Sequence, residues 1–305
     1  MTAALGRTEW LAIGLLALAT ILALGILYVL VDIYWLWLRT ALRAQSEDRN
    51  NQSIRDASTL ITDLAEKLWN PRIGIRLATL ATLQRLMSSG NEARALTNIL
   101  TSFINARLSR REQFEEVGES LEDVSLALAL LTSPDVRTYL ERRGGSISLT
   151  NLDFRGVPLR GADLCALNLA GCNFAGCDLT RAKVRRADFT GADLSNAVAR
   201  DSNFAFACLT MATLAGADFI SSRLNHADFT GADLSNTDFT KAQVDFADFS
   251  DSDVSGALLA EATGLTQMQL ESAIGDSNTT VPERLRFTPS KAHRRKPSLE
   301  VVKSA

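Results

Sequence analysis

Ala187-Asp-Phe-Thr-Gly191 runs directly into Ala192-Asp-Leu-Ser-Asn196, and the same pattern returns at Ala227-Asp-Phe-Thr-Gly231. Stepping outward by five from Phe189 meets 23 positions between Leu149 and Leu259, of which 11 are Leu, 8 Phe and 3 Val, with Ala199 the one departure. A step of five turns a helix by ~140°, which scatters these side chains around the axis, and on a strand it alternates faces. Neither regular element buries them all. The chain must turn once per five residues, each repeat forming one side of a coil, and the coils must stack to share a core. Two residues before the centre the side chain is mostly small, Ala in 13 of the 23 places and Ser, Cys or Thr in six more, so small beside large fills a narrow interior. The residue just before the centre is Asp or Asn in 14 of 23 cases, an outward polar group able to hydrogen-bond the turn backbone. Glycines two after the centre, such as Gly191, Gly216 and Gly231, predict positive φ in some of these turns.

These runs resemble the pentapeptide-repeat family, whose pattern is A(D/N)Lxx, over residues 147–259. The resemblance implies a right-handed quadrilateral β-helix with four repeats per coil, a mainly β solenoid. With ~4.8 Å between stacked strands, the repeats would make nearly six coils in a rod ~28 Å long. Such a stack has two open ends that need covering. At the C-terminal end, Thr266-Gln-Met-Gln269 reads as a capping box and Leu265 with Leu270 has staple spacing, predicting a helix to about Ile274 before Gly275. This segment resembles the family's terminal cap.

Upstream, residues 53–145 read as a helical segment of five elements. Ile54, Ala57, Ile61, Leu64 and Leu68 form one apolar stripe, ended by Asn70-Pro71. Ile73, Leu77, Leu80, Leu83 and Met87 form a second, stopped at Gly90; Asn91 caps a third with Leu96, Leu100, Phe103 and Ile104. Ser120-Leu-Glu-Asp123 resembles a capping arrangement ahead of Val124, Leu128 and Leu131, and Ser133-Pro134 opens a last helix ending at Arg142, Arg143 and Gly144. That last helix is the natural cover for the first coil. A helical segment leading into a coil with bulky Ile147, Leu152 and Val157 resembles the membrane-attached bacterial members of the family.

At the start of the chain, Leu11 to Val31 carries no charge and no proline; as a helix it would extend ~31 Å, about one hydrocarbon core. Trp10 borders it on one side and Tyr34, Trp35 and Trp37 on the other, as interfacial rings do. The length of the run and its aromatic flank predict a retained anchor rather than a cleaved signal. Arg39, Arg43 and Arg49 follow the span against Arg7 before it, placing the bulk of the chain in the cytoplasm of a bacterial inner membrane. Four cysteines without a disulfide framework agree with a reducing compartment. Ala19-x-x-x-Ala23 offers a small-residue surface for homo-oligomer contact. The expected organisation is therefore an N-terminal flank (1–9), a transmembrane helix with its interfacial segment (10–38), a polar linker (39–52) and the helical segment (53–145). A pentapeptide β-helix (146–263), a cap (264–288) and a basic tail without fixed structure (289–305) follow.

The chain has 305 residues with 32 Lys and Arg against 35 Asp and Glu, a balance that excludes nucleic-acid binding by overall phosphate neutralisation. His226 and His293 do not make a His-rich metal site, and Cys165, Cys172, Cys177 and Cys208 lack zinc spacing. With no phosphate-cradling loop, no Ser/His/Asp set and no paired carboxylates, neither cofactor nor catalysis is expected. Cys172 and Cys177 fill the small inner column as packing residues. Steps of twenty sort the outward positions into faces. Asp188, Asp228 and Asp248 share one, Asp193, Asp233 and Asp253 a second, and Asp178, Asp218 and Asp238 a third; turn bonding and solvation account for them. The fourth face departs from this, with Lys183, Arg185, Arg186, Phe206, Arg223, His226 and Phe246, and it is the expected site for a protein or anionic partner. The expectation is a non-catalytic interaction platform. Family members that resemble DNA in shape and charge act on type II topoisomerases, and nine Asp in residues 201–260 against Arg223 and Lys241 keep that alternative open. An enzyme with a cleft between helical segment and rod is the third. Lys291 to Lys296 offers a basic stretch for anionic lipid headgroups.

Overall fold

The computed structural model describes residues 59–60, 62–87, 93–109, 120–143 and 146–288. The expected span, linker and tail lie outside them, as do Ile54, Ala57, Ile61, Gly90, Asn91 and Gly144. Among the described residues no helix is long and apolar enough to cross a membrane. The helical segment from Leu64 onward and the repeats belong to one compact unit.

From residue 148 the chain forms parallel bridges between residues twenty apart, as in Ser148↔Asn168, Asn168↔Asp188 and Asp228↔Asp248. Four pentapeptides therefore complete one coil. Each side contributes a single bridging residue rather than an extended strand, because the turn consumes the rest of the five. The repeat Asp188 to Ala192 shows how every backbone donor is used. Asp188 N–H donates to Leu167 O one coil back at 2.9 Å, and Phe189 N–H and Gly191 N–H donate one coil forward, to Cys208 O at 2.7 Å and Thr210 O at 2.9 Å. Ala192 N–H closes the turn on Phe189 O at 2.9 Å, and Thr190 N–H is taken by the Asp188 carboxylate at 2.9 Å. The recurrent Asp or Asn thus supplies the one acceptor that the coil backbone does not. The residue two after every centre from Leu149 to Val254 has positive φ, as a type II turn requires, whether it is Gly191 (64°) or Phe206 (63°). This goes beyond the glycine-only expectation: the ladder holds bulky residues in the left-handed region.

The centres all point inward. Phe189 and Phe229 are fully buried and Phe249 is 2% exposed, with Phe229 and Phe249 stacked at 5.2 Å between ring centroids. Beside them the small column is equally buried. Cys172 Sγ donates to Leu149 O at 2.8 Å and Cys177 Sγ to Phe154 O at 3.2 Å, so both thiols pack inside and bond to the preceding coil, and burial pushes Cys172 up to about 11.

Both ends are covered. Upstream, α1 (Ile73–Met87), α2 (Ala93–Ser109), α3 (Glu122–Leu131) and α4 (Pro134–Arg143) pack through Leu80, Leu83, Leu96, Leu100, Phe103, Val124 and Leu131, preceded by a helical stretch that buries Leu64 and Leu68. First-coil residues Ile147, Leu152 and Val157 are buried with no coil before them. The rim there is held by α3 and α4: Ser125 Oγ donates to Pro158 O at 2.7 Å, and Arg137 pairs with Asp163 at 2.9 Å. Pro158 has no N–H to give and sits where no preceding coil asks for one.

Two sequence expectations need correction. Ser120 to Asp123 is not a capping box, since Leu121 occupies the N-cap without a side-chain bond. Asp123 is fully buried and instead accepts from Arg76 Nε at 2.7 Å and Arg107 Nε at 3.1 Å, two guanidiniums that are themselves buried. At the other end, the capping box of Thr266 and Gln269 is present, but α5 spans Gln267–Glu271 and stops short of Ile274. Ile274 bridges Asp253 and exchanges bonds with Val254 and Ser252, because the last coil has exposed donors and acceptors that a longer helix would leave unmet. Gln269 Nε2 donates to Val244 O and Ala247 O at 3.0 and 2.8 Å, and Asp276 accepts Gly256 N–H at 2.9 Å, finishing the edge.

Candidate interaction face

On three sides the expected aspartates behave as turn components. Asp178, Asp188, Asp193, Asp218, Asp228, Asp233, Asp238, Asp248 and Asp253 each accept the backbone N–H two residues on. Hydrogen bonds from the Thr180 hydroxyl and N–H hold Asp178 below the usual carboxylate value. Burial alone would raise Asp228, but the Thr230 hydroxyl and N–H and the Thr210 hydroxyl outweigh it and leave the group lowered. At the rim, burial opposes and the Cys165 N–H and the Arg137 side chain prevail, so Asp163 is also lowered.

The fourth side is different in kind. Phe206, His226 and Phe246 occupy the positive-φ position of successive coils, so the twenty-residue period places one ring above the next. Their planes are nearly parallel: Phe206 and His226 are 4.6 Å apart at 8°, and His226 and Phe246 are 5.0 Å apart at 11°. Arg185 and Arg186 bring their guanidiniums over Phe206, 5.3 and 5.8 Å from its centroid. The five expected residues Arg185, Arg186, Phe206, His226 and Phe246 thus form one continuous surface stack. Phe206 is 44% exposed and Phe246 77%. Lys183 and Arg223 lie on the same side, in the bridge column through Asn203, and are exposed without joining the stack. They supply positive charge to the face.

At its C-terminal end the stack opens into a cleft of about 740 Å³ that sequence reasoning did not identify. Phe246, Asp245, Asp248, Phe249, Met268 and Gln269 are among its lining residues, and Met268 on α5 is 80% exposed. Asp245 Oδ2 accepts from Asn225 Nδ2 at 2.9 Å and Asp248 Oδ1 accepts from Ser250 N–H at 2.9 Å, leaving a second oxygen on each outside these bonds. The signal for the cleft was the pairing of an exposed Phe with a Met on the outer face of a cap helix, which becomes visible only once the cap is folded onto the last coil.

Comparison with known proteins adds the following. The family of pentapeptide repeats matches in eight copies over residues 147–186, 159–196, 185–219, 200–236 and 217–256. Among solved structures, a pentapeptide repeat protein from the Arabidopsis thaliana thylakoid lumen is 28% identical, over 40% of this chain and 83% of that one, with a TM-score of 0.23. QnrB1, a plasmid-mediated fluoroquinolone resistance protein, is 20% identical over 48% of this chain and 91% of that one, with a TM-score of 0.23. HetL, a pentapeptide repeat protein involved in heterocyst differentiation regulation from the cyanobacterium Nostoc sp. strain PCC 7120, is 21% identical over 47% and 97%, with a TM-score of 0.14. No curated protein matches the chain.

Proposed function

We propose that this chain, a pentapeptide-repeat protein through its residues 147–256, is a non-catalytic platform that binds a protein partner on its fourth face. The observation that carries this reading is the exposed stack of Phe206, His226 and Phe246 with Arg185 and Arg186 over one end. Aromatic and Arg side chains dominate the energetics of protein interfaces, and exposing three rings in water is unfavourable unless something covers them. The rings are also preorganised. Phe206 and His226 sit on backbone that donates its N–H to the next coil, at 2.9 Å in both cases, so little side-chain or loop entropy is lost there on binding. Leu11 to Val31, with Trp10 before it and Trp35 and Trp37 after it, tethers the platform to a bacterial inner membrane, and the Arg39, Arg43 and Arg49 bias puts the platform in the cytoplasm.

Replacing Arg185, Arg186, Phe206 and Phe246 together in the full chain tests the face. The expected result is loss of a co-purifying partner with an unchanged melting curve; an unchanged set of partners overturns the reading. Modulation of a type II topoisomerase through the aspartate columns is the competing view. Adding the detergent-solubilised chain to a supercoiling assay separates the two, and the platform reading predicts no change. Proximity labelling from the C-terminus in intact cells checks the side of the membrane, with cytoplasmic neighbours expected and periplasmic ones contradicting the orientation.

A further inference from the structure

The stack has a different environment at each end. Over Phe206 lie two guanidiniums of the chain itself. Twenty residues beyond Phe246 the chain has already left the coil and Thr266 caps α5, so no rung follows Phe246 and the cleft opens between it and Met268. We infer that this cleft is the docking site of the chain's own basic segment Lys291–Lys296, with an arginine guanidinium laid on Phe246 and the carboxylates of Asp245 and Asp248 as its counter-charge. The inference needs no second protein and stands apart from the partner reading, although both use Phe246.

Three observations favour this occupant. The first is where the described chain ends. Arg286 is tied to α5 in both directions, its N–H donating to Gln267 Oε1 at 3.1 Å and its carbonyl accepting from Gln267 Nε2 at 2.9 Å. Gln267 neighbours Met268 in sequence, so the segment leaves from the helix that walls the cleft. Between Arg286 and Arg294 lie enough residues to reach ~26 Å when extended, more than twice the ~10–12 Å width of a helix. The second is charge. Residues 289–305 hold Lys291, Arg294, Arg295, Lys296 and Lys303 against Glu300 alone, and the cleft presents Asp245 and Asp248. The third is the chemistry already used at the other end, where guanidinium over phenyl is the pairing this face adopts. A planar, weakly hydrated cation suits a half-enclosed ring better than an ammonium does. A short tether also gives an effective concentration on the order of millimolar, which favours the segment in cis over any arginine in trans.

The test uses the full chain in detergent with a photoreactive benzophenone side chain in place of Met268, prepared as a mixture of isotopically light and heavy protein. On illumination, cross-links within one chain to residues 291–296 are expected. Their yield should fall by at least about half in Phe246→Ala and in the Arg294→Ser, Arg295→Ser double variant, since each removes one partner of the cation–π contact. Arg185→Ser with Arg186→Ser should leave the yield unchanged while removing the partner of the fourth face, so failure of one reading is distinguishable from failure of the other. Cross-links joining light to heavy chains, cross-links that miss the segment, or a yield indifferent to Phe246→Ala would each overturn the inference.

Discussion

Fourteen non-glycine residues hold φ between 55 and 63° in the repeats, a conformation that costs an L-residue about 1–2 kcal/mol. The ladder can impose this because eleven of the fourteen donate their N–H to the next coil, as His226 does to Asp245 O at 2.9 Å. Two glycines at that position separate backbone strain from crowding. Gly161 and Gly216 both have φ 69°, but a Cβ on Gly161 would meet nothing within 4 Å, whereas on Gly216 it would lie 2.7 Å from Asn196 Oδ1. Gly161→Ala should cost about 1 kcal/mol in a urea titration. Gly216→Ala should cost roughly 1 kcal/mol more, because the Asn196 side chain must move. Equal costs would show that crowding plays no part. A second residue-scale outcome concerns acid. Asp228 titrates below its unfolded value, so near pH 4 the unfolded chain binds more protons and stability falls as pH drops through that window. Asp228→Asn should therefore lose less stability than the wild type between about pH 6 and pH 3, measured as the shift in urea midpoint; an identical loss in both contradicts the assignment. The bonding role of such aspartates was legible from their position before each centre. The bulky residues at positive φ were not, because the pattern marks that position only where it happens to be Gly.

Coils and helices are the next scale. Ala199 is the single small centre, and its coil also contains Phe189 and Phe204, both fully buried, whose rings lie 5.8 Å apart. The next coil has Phe219 above Ala199, at 5.2 Å from Phe204. Ala199 is itself fully buried beneath Phe219, so a larger side chain at this corner has to displace a neighbour. Ala199→Leu, which would restore the repeat, should destabilise by about 1–3 kcal/mol through overpacking, read from the shift in melting temperature. A stabilised variant would mean that coil volume is not conserved. In the helical segment, Asp123→Ala would leave the buried Arg76 and Arg107 without their shared carboxylate, and a loss of about 3–5 kcal/mol is expected. Arg160→Ala, whose contact with Asp178 is exposed and 3.7 Å long, should change stability by less than about 1 kcal/mol in the same titration. Comparable losses would argue that Asp123 is not an anchor. Apolar spacing located α1 to α3, and Ser133-Pro134 marked the start of α4. It could not locate the Arg76, Asp123 and Arg107 cluster, since three charges from three helices look like surface positions until the bundle closes over them. It misread Asp123 as a cap for the same reason.

At the scale of the molecule, helices and repeats make one unit in which a covered rod displays a single unusual side. Four-sidedness turns a five-residue period into a twenty-residue one, and that conversion brings residues far apart in sequence into one surface. Grouping Arg185, Arg186, Phe206, His226 and Phe246 was therefore possible from sequence once the coil length was known. Their parallel stacking and the cleft beside Phe246 were not, because both depend on side-chain direction and on how α5 returns to the last coil. The most direct test is a nuclear Overhauser measurement on the chain with ¹³C-labelled Phe and His rings. The fold and its interaction face together predict contacts from the His226 ring to Phe206 and to Phe246. A His226 ring with neither contact would contradict both.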